Sequence, residues 1–314
     1  MDDLATALGP LGIWGHLDSL DAAAARAWAG HAARLGYGAL WVPETVGRDP
    51  FALCAAIAEA AAPMVLGTSI VSIFGRDAMA AKLGAQTLHE LTGGRFVLGL
   101  GVSHAHLVEK LRGHVYAQPL TTMRTYLADI ARLPYRGPLP AGTDAGGAPI
   151  PERPPVLVAG LRERMLGLAA TDADGAFPFL VTPDRVGWIR GVLDAAAPAG
   201  RRPFLAVTQA VVLATDPAAA RAAARAWLAP YLRTANYQVS WAAQGLGPED
   251  WTLPGSDRLV DAMVAWGDVA ALRARIAAHH AAGADHVAII PVAPDGTTED
   301  PDAVAALAPG GARG

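Results

Sequence analysis

Short apolar runs alternate with longer Ala-rich stretches along almost the whole chain. The runs at 11–14, 39–42, 65–71, 95–99, 156–159, 175–180, 205–213 and 286–292 read as strands. Most are near-continuous Val, Ile, Leu and Ala, the pattern of strands covered on both faces. Such strands alternating with helices signal βαβ units and a parallel sheet. Eight units predict a closed α/β structure, the (β/α)8 TIM barrel, rather than an open doubly wound sheet. A helix is expected over 19–35, with Asp18, Ser19 and Asp21 near its start and Gly36 beyond its end. Another, over 270–282, stops at Gly283. Two stretches exceed a minimal barrel. Residues 134–155, rich in Pro and Gly, read as a long irregular loop after the fourth helix, and 229–266, with Trp, Tyr and Gly, as an excursion between strands seven and eight. The chain, 1–314, is expected to be one barrel domain, with 1–10 and 305–314 as loose termini.

Barrel enzymes build their sites at the C-terminal ends of the strands. Strand one runs into Gly15-His16, strand two into Pro43-Glu44-Thr45, and strand three passes Thr68-Ser69 to reach Ser72. Strand four runs into Gly101-Val102-Ser103-His104, strand five into Ala159-Gly160-Leu161, and strand six reaches Thr182. Strand seven carries Thr208-Gln209. His286 begins strand eight, at the opposite face, where residues serve stability. Glu44 is the only carboxylate at a strand end, and His16 and His104 are the only imidazoles directly beside one. A glycoside hydrolase needs a facing pair of carboxylates. A metal centre needs more ligands than His104-Ala105-His106 offers, and none is expected. The set suits a large conjugated cofactor that carries the reaction itself. LGLGVSH at 98–104 lets backbone approach a ligand, but lacks the full glycine set of a dinucleotide fingerprint. AGLRERM at 159–165 takes a strand into a helix start with Arg162 and Arg164 nearby, a candidate phosphate site.

Composition narrows the reading. Apolar residues make up 52%, enough for a large core, yet no run is long enough to span a bilayer. Cys54 is the only cysteine, which excludes an internal disulfide and fits a cytoplasmic location. The net charge of −4, without a basic block, argues against nucleic-acid binding. Lys82 and Lys110 are the only lysines and neither ends a strand, so Schiff-base chemistry is not expected.

LWVPETVGRDPF at 40–51, LGTSI with Arg76-Asp77 behind it, TGGRFVLGLGVSH at 92–104, ADGAFPFLVTP at 173–183, GSDRLVDAMVAWGD at 255–268 and AGADHVAIIPV at 282–292 together resemble the luciferase-like monooxygenase superfamily. The likeness is strongest to its actinobacterial F420-dependent oxidoreductase branch and runs from about residue 11 to 292. It implies a barrel with a cofactor ring at the C-terminal mouth, coenzyme F420 with FMN as the alternative. It implies a non-proline cis peptide at Ser69-Ile70 under the ring, a turn at Gly101, Ser103 and His104 reaching ring and substrate, and a phosphate-contacting turn at Ala159, Gly160 and Leu161. Relatives can carry an acidic proton donor where this chain has His104, and often a His where it has Thr45. His104 and Glu44 are therefore the expected proton-handling residues. The implied activity is hydride transfer between F420 and a small organic substrate. The alternatives are an FMN-dependent monooxygenase or a flavin-binding barrel without turnover. Similar proteins are often homodimers.

Overall fold

The computed structural model describes residues 2–143, 147 and 149–309. Ten strands form one parallel system: β1 Leu11–Trp14, β2 Ala39–Val42, β3 Val65–Thr68, β4 Val71–Ser72, β5 Phe96–Gly101, β6 Val156–Val158, β7 Gly175–Ala176, β8 Phe204–Leu213, β9 Val264–Gly267 and β10 His286–Pro291. The order β1-β2-β3-β5-β6-β7-β8-β10 returns to β1, closing the expected eight-stranded barrel. β10 pairs with β8 from His286↔Ala206 to Pro291↔Val211.

Four strands depart from the sequence pattern. The apolar run 65–71 is broken at Ser69-Ile70, a cis peptide bond, and resumes as β4 against Leu100 and Gly101 of β5. The excursion 229–266 is not all helix and loop. It holds helices Ala235–Ala242, Pro248–Trp251 and Asp257–Met263 and ends in β9, which pairs with Ala210–Leu213. The fourth strand extends to Gly101, whereas the sixth keeps only Gly175–Ala176. Beyond Phe177, whose N–H still donates to Val158 O at 3.0 Å, the segment is apolar for packing: Phe177, Leu180 and Val181 are all in the core and Phe179 is partly buried. Helix ends fall within a few residues of expectation, at Ala22–Arg34 and Val269–Ala281, each capped by an Asp carboxylate that accepts a first-turn N–H (Asp21 from Ala24, Asp268 from Ala271). Asp2–Leu8 is a helix, and Leu8 is fully buried. At the other end, helix Pro301–Ala306 is followed by buried Leu307 and Ala308; 310–314 lie outside the described residues.

The lower barrel is filled by three rings. Trp41 of β2 packs edge-on against Phe177 at 4.6 Å and against His286 at 5.8 Å. Glycines make the room. A Cβ on Gly67 would fall 2.4 Å from the Trp41 ring, and one on Gly12 2.6 Å from His286 Nε2. Trp41 Nε1–H donates to His286 Nε2 at 3.0 Å, so that nitrogen is the acceptor. The proton therefore sits on Nδ1, which donates to the Gly9 carbonyl at 2.8 Å. His286 is a structural residue of the stability face, as its position implied.

Candidate active site

The upper ends of β1 to β6 bring together most of the residues singled out in the sequence. Ser69 N–H donates to Val42 O at 2.9 Å, and Trp14 Nε1–H donates to Ser69 O at 3.1 Å. Glu44 N–H donates to Ile70 O at 3.2 Å. The 69–70 turn is thus held from β1 and β2 at once. The Ile70 side chain lies over β5 beside β6. A Cβ on Gly101 would fall 2.6 Å from Ile70 Cδ1 and 3.4 Å from Ala159 Cβ. Gly101 is therefore the residue type that lets this shelf lie flat. Ser69, Ile70 and Ala159 stay partly exposed, while the strands below them are buried.

Beside the shelf, Ser103 adopts φ 55°, a left-handed conformation unusual for a non-glycine residue. The turn presents two side chains for which the fold supplies no polar partner. Among the described residues neither the Ser103 hydroxyl nor the His104 ring makes a hydrogen bond. His104 is half-buried, and burial, with His106 adding to it, pulls its pKa down to about 4. Its imidazole is therefore neutral at neutral pH, a hydrogen-bond partner or proton acceptor. His104 and His106 do not sit on a strand face; they begin a helical turn with their rings stacked at 5.9 Å.

Glu44 is held by hydrogen bonds on both carboxylate oxygens. Oε2 accepts from the Ser72 N–H at 2.6 Å, and Oε1 from Arg76 at 2.8 Å with Arg112 at 3.3 Å. Its side chain is only 7% exposed. Both oxygens are engaged, and through them Glu44 holds the segment 72–76 against the mouth. Arg76 and Arg112 lie too far along the chain for sequence spacing to have paired them with Glu44.

The turn after β6 differs from its neighbours. Gly160 and Leu161 are buried, and the Leu161 carbonyl accepts from Arg185 at 2.9 Å. Helix Glu163–Asp172 follows with Arg162 at its cap position and no side-chain cap, leaving its first N–H groups without that usual acceptor. The Arg162 guanidinium donates to Asn236 Oδ1 at 2.8 Å, latching this turn to the excursion. Arg164 is exposed.

Sequence reasoning missed an aromatic arc. His104 meets Tyr237 at 5.1 Å, Tyr237 meets Phe179 at 5.9 Å, and Phe179 meets Trp14 at 6.3 Å. Tyr231 packs on both Phe179 and Tyr237. Burial raises the Tyr237 and Tyr231 pKa values, so these phenols stay protonated. Trp241 is fully buried behind Tyr237, with Trp251 beyond it. Gln209 is turned away to a pair with His279 at 2.7 Å. Thr182 caps helix Pro183–Ala196 and is held by Gln244.

A family model described as luciferase-like monooxygenase matches residues 6–286. A Mycobacterium tuberculosis protein, whose name assigns it provisionally to the coenzyme F420-dependent oxidoreductases, is 30% identical over 224 residues. That match spans 63% of this chain and 64% of the relative, under two thirds of its length. Among solved structures, the coenzyme F420-dependent tetrahydromethanopterin reductase of Methanopyrus kandleri superposes with a TM-score of 0.72 at 16% identity, covering 96% of this chain and 97% of the other. The oxygenating constituent of 3,6-diketocamphane monooxygenase from Pseudomonas putida, in complex with FMN, superposes with a TM-score of 0.70 at 16% identity, covering 96% of each. At such identities these structures speak for the barrel alone.

Proposed function

The chain belongs to the luciferase-like monooxygenase family, and on that premise we propose that it transfers a hydride between coenzyme F420 and a small organic substrate at the barrel mouth. The observation that carries this reading is the shelf of Ile70, Gly101 and Ala159 flanked by two polar groups without a hydrogen-bond partner among the described residues, the Ser103 hydroxyl and the His104 ring. Satisfied side chains are the rule inside proteins, and groups left open at a strand-end surface are suited to a ligand. The uncapped N–H groups of helix Glu163–Asp172 fit a phosphate in the same ligand. The deazaflavin supplies the hydride chemistry when bound. The protein's part is to bed the ring on the shelf, hold phosphate at the 159–164 turn, and offer the neutral His104 imidazole as a hydrogen-bond partner to the bound ligand. The choice of F420 follows the 30% identical relative.

FMN is the second reading, since a barrel of the same fold holds FMN in a solved complex. Absorbance titrations of the protein with F420 and with FMN separate the two, because the tricycles absorb differently. Micromolar F420 affinity with weaker FMN binding is the expected result; affinity for neither tricycle ends the proposal. A cytoplasmic homodimer of single-domain subunits goes with this reading, and sedimentation of the purified protein tests the stoichiometry.

A further inference from the structure

We propose that His16, oriented by Asp18, is the residue that delivers a proton to the substrate heteroatom at this mouth, which makes a polarised carbonyl or imine the substrate class; the proposal rests on the hydride-transfer reading above. Reducing a C=O or C=N bond needs a hydride at carbon and a proton at oxygen or nitrogen. Neither expected donor suits the second task. Glu44 is committed to Ser72, Arg76 and Arg112, and His104 is a neutral ring.

His16 is placed for it. It follows β1 directly, and its ring lies nearly parallel to Trp14, 6.3 Å between centroids and 15° between planes. Trp14 is the residue that holds the Ser69 carbonyl beside the shelf. His16 Nε2 lies 3.6 Å from Asp18 Oδ2, and 40% of its side chain is exposed against 19% for Asp18. Asp18 cannot swing away: it accepts from the Thr45 hydroxyl and from the Arg48 N–H at 3.1 Å. A Cβ on Gly47 would fall 2.4 Å from its carboxylate. The Asp18 carboxylate is therefore held facing Nε2 at 3.6 Å, an ion-pair distance, and among the described residues Nδ1 has no hydrogen-bond partner. This is the acid-plus-orienter arrangement of general acid catalysis.

The other charged groups packed around Asp18 are Arg48, whose guanidinium is tied to the Leu20 carbonyl, and Glu299 from the segment after β10. Burial pushes the Glu299 carboxyl up to about 7, with a Ser19 hydrogen bond opposing and Asp18 adding to the rise. Near neutral pH Glu299 is thus partly protonated, which limits the negative charge gathered at the pair. The step balances as follows: the carbonyl carbon takes the hydride from the reduced deazaflavin, the carbonyl oxygen takes the Nδ1 proton, and the C=O π bond becomes C–H and O–H. The imidazole is left neutral with Nε2–H toward Asp18, and solvent restores its proton. The aromatic arc of Trp14, Phe179, Tyr231 and Tyr237 would receive an apolar substrate body.

The test uses full-length protein with F420H2 and two probes, cyclohexanone and benzaldehyde. His16→Gln is expected to lower kcat about 100-fold or more, with KM and F420 affinity within about twofold, and added imidazole is expected to restore part of the rate in His16→Ala. Asp18→Asn is expected to lower kcat about 10-fold and to shift the kcat–pH profile. In cofactor-free protein, long-range ¹H–¹⁵N spectra of wild type are expected to report neutral His16 as the Nε2–H tautomer, with that preference weakened in Asp18→Asn. Wild-type reduction of the probes by His16→Gln, or a wild-type His16 in the Nδ1–H form, overturns the proposal and leaves the F420 reading standing. F420 binding by wild type without reduction of either probe also overturns it. Absence of binding to either tricycle removes the function reading and this inference with it.

Discussion

Two histidines, His286 at the bottom of the barrel and His104 at its mouth, are both depressed to about 4 by burial, yet their surroundings are opposite. His286 has each ring nitrogen engaged, one by Trp41 and one by Gly9, in a region where glycines have been fitted to its rings. His104 has a Tyr237 edge and a stacked His106 but no hydrogen-bond partner for either nitrogen among the described residues. The same shift thus arises from two designs. At the bottom, burial is offset by fixed hydrogen bonds and the residue belongs to the fold. At the mouth the cost is left open, and stability has been exchanged for a group that a ligand can use.

Substitutions should separate the two ends. The largest stability loss is expected from His286→Ala, about 3–4 kcal/mol by urea denaturation, because it opens a cavity and strands the Trp41 indole N–H. F420 affinity of the folded variant should hold; a stability change under about 1 kcal/mol would erase the contrast. Next comes Glu44→Gln, expected to cost about 2–3 kcal/mol because Arg76 and Arg112 lose a shared carboxylate in a largely buried place. Since the 72–76 segment flanks the mouth, its F420 affinity should fall as well, and unchanged binding would remove Glu44 from any positioning role. The smallest stability effect is expected at His104→Ala, within about 0.5–1 kcal/mol. Turnover should nevertheless drop about 10- to 100-fold. Retained F420 binding in that variant makes His104 catalytic, and lost binding makes it a cofactor contact.

Acid and base sharpen the same comparison. The depressed histidines, His279 to about 3 and His104 and His286 to about 4, contribute stability that is present above their usual value near 6.5. It is lost as pH falls through the 4–3 range. Glu299 runs the other way. Raised to about 7, it contributes stability present below its usual value of 4.5 and lost as pH rises through 7. Replacing it with Gln should therefore raise the melting temperature at pH 8 relative to wild type and change it little near pH 4. A Glu299→Gln protein with no gain at pH 8 contradicts that assignment.

Much of the barrel was legible because its strands are continuous apolar runs separated by well-capped helices. β9 was not, since Val264–Gly267 follows helix Asp257–Met263 without a turn residue and reads as more helix. The sixth strand was overextended because Phe177, Leu180 and Val181 are apolar for packing reasons, in a segment where Leu180 adopts φ 57°. At the mouth, strand-end position was enough to place Ser103, His104 and Ala159 beside one another. It could not reveal that Glu44 is tied down, because its partners come from the β4 and 102–118 segments. Nor could it show the aromatic arc, whose members come from β1, the β7 turn and the excursion, and meet only in three dimensions.

β8 carries neighbours along both edges: β10 on one, and first β7, then β9, on the other. Residues 229–263 therefore leave the scaffold and return to it on the same rigid rail, with Arg162–Asn236 as a stitch soon after the departure. A segment anchored near its departure and at its return can be rewritten between its anchors while the barrel beneath stays as it is. In this architecture the choice of substrate can drift quickly across generations, and the machinery that meets the cofactor need not move with it.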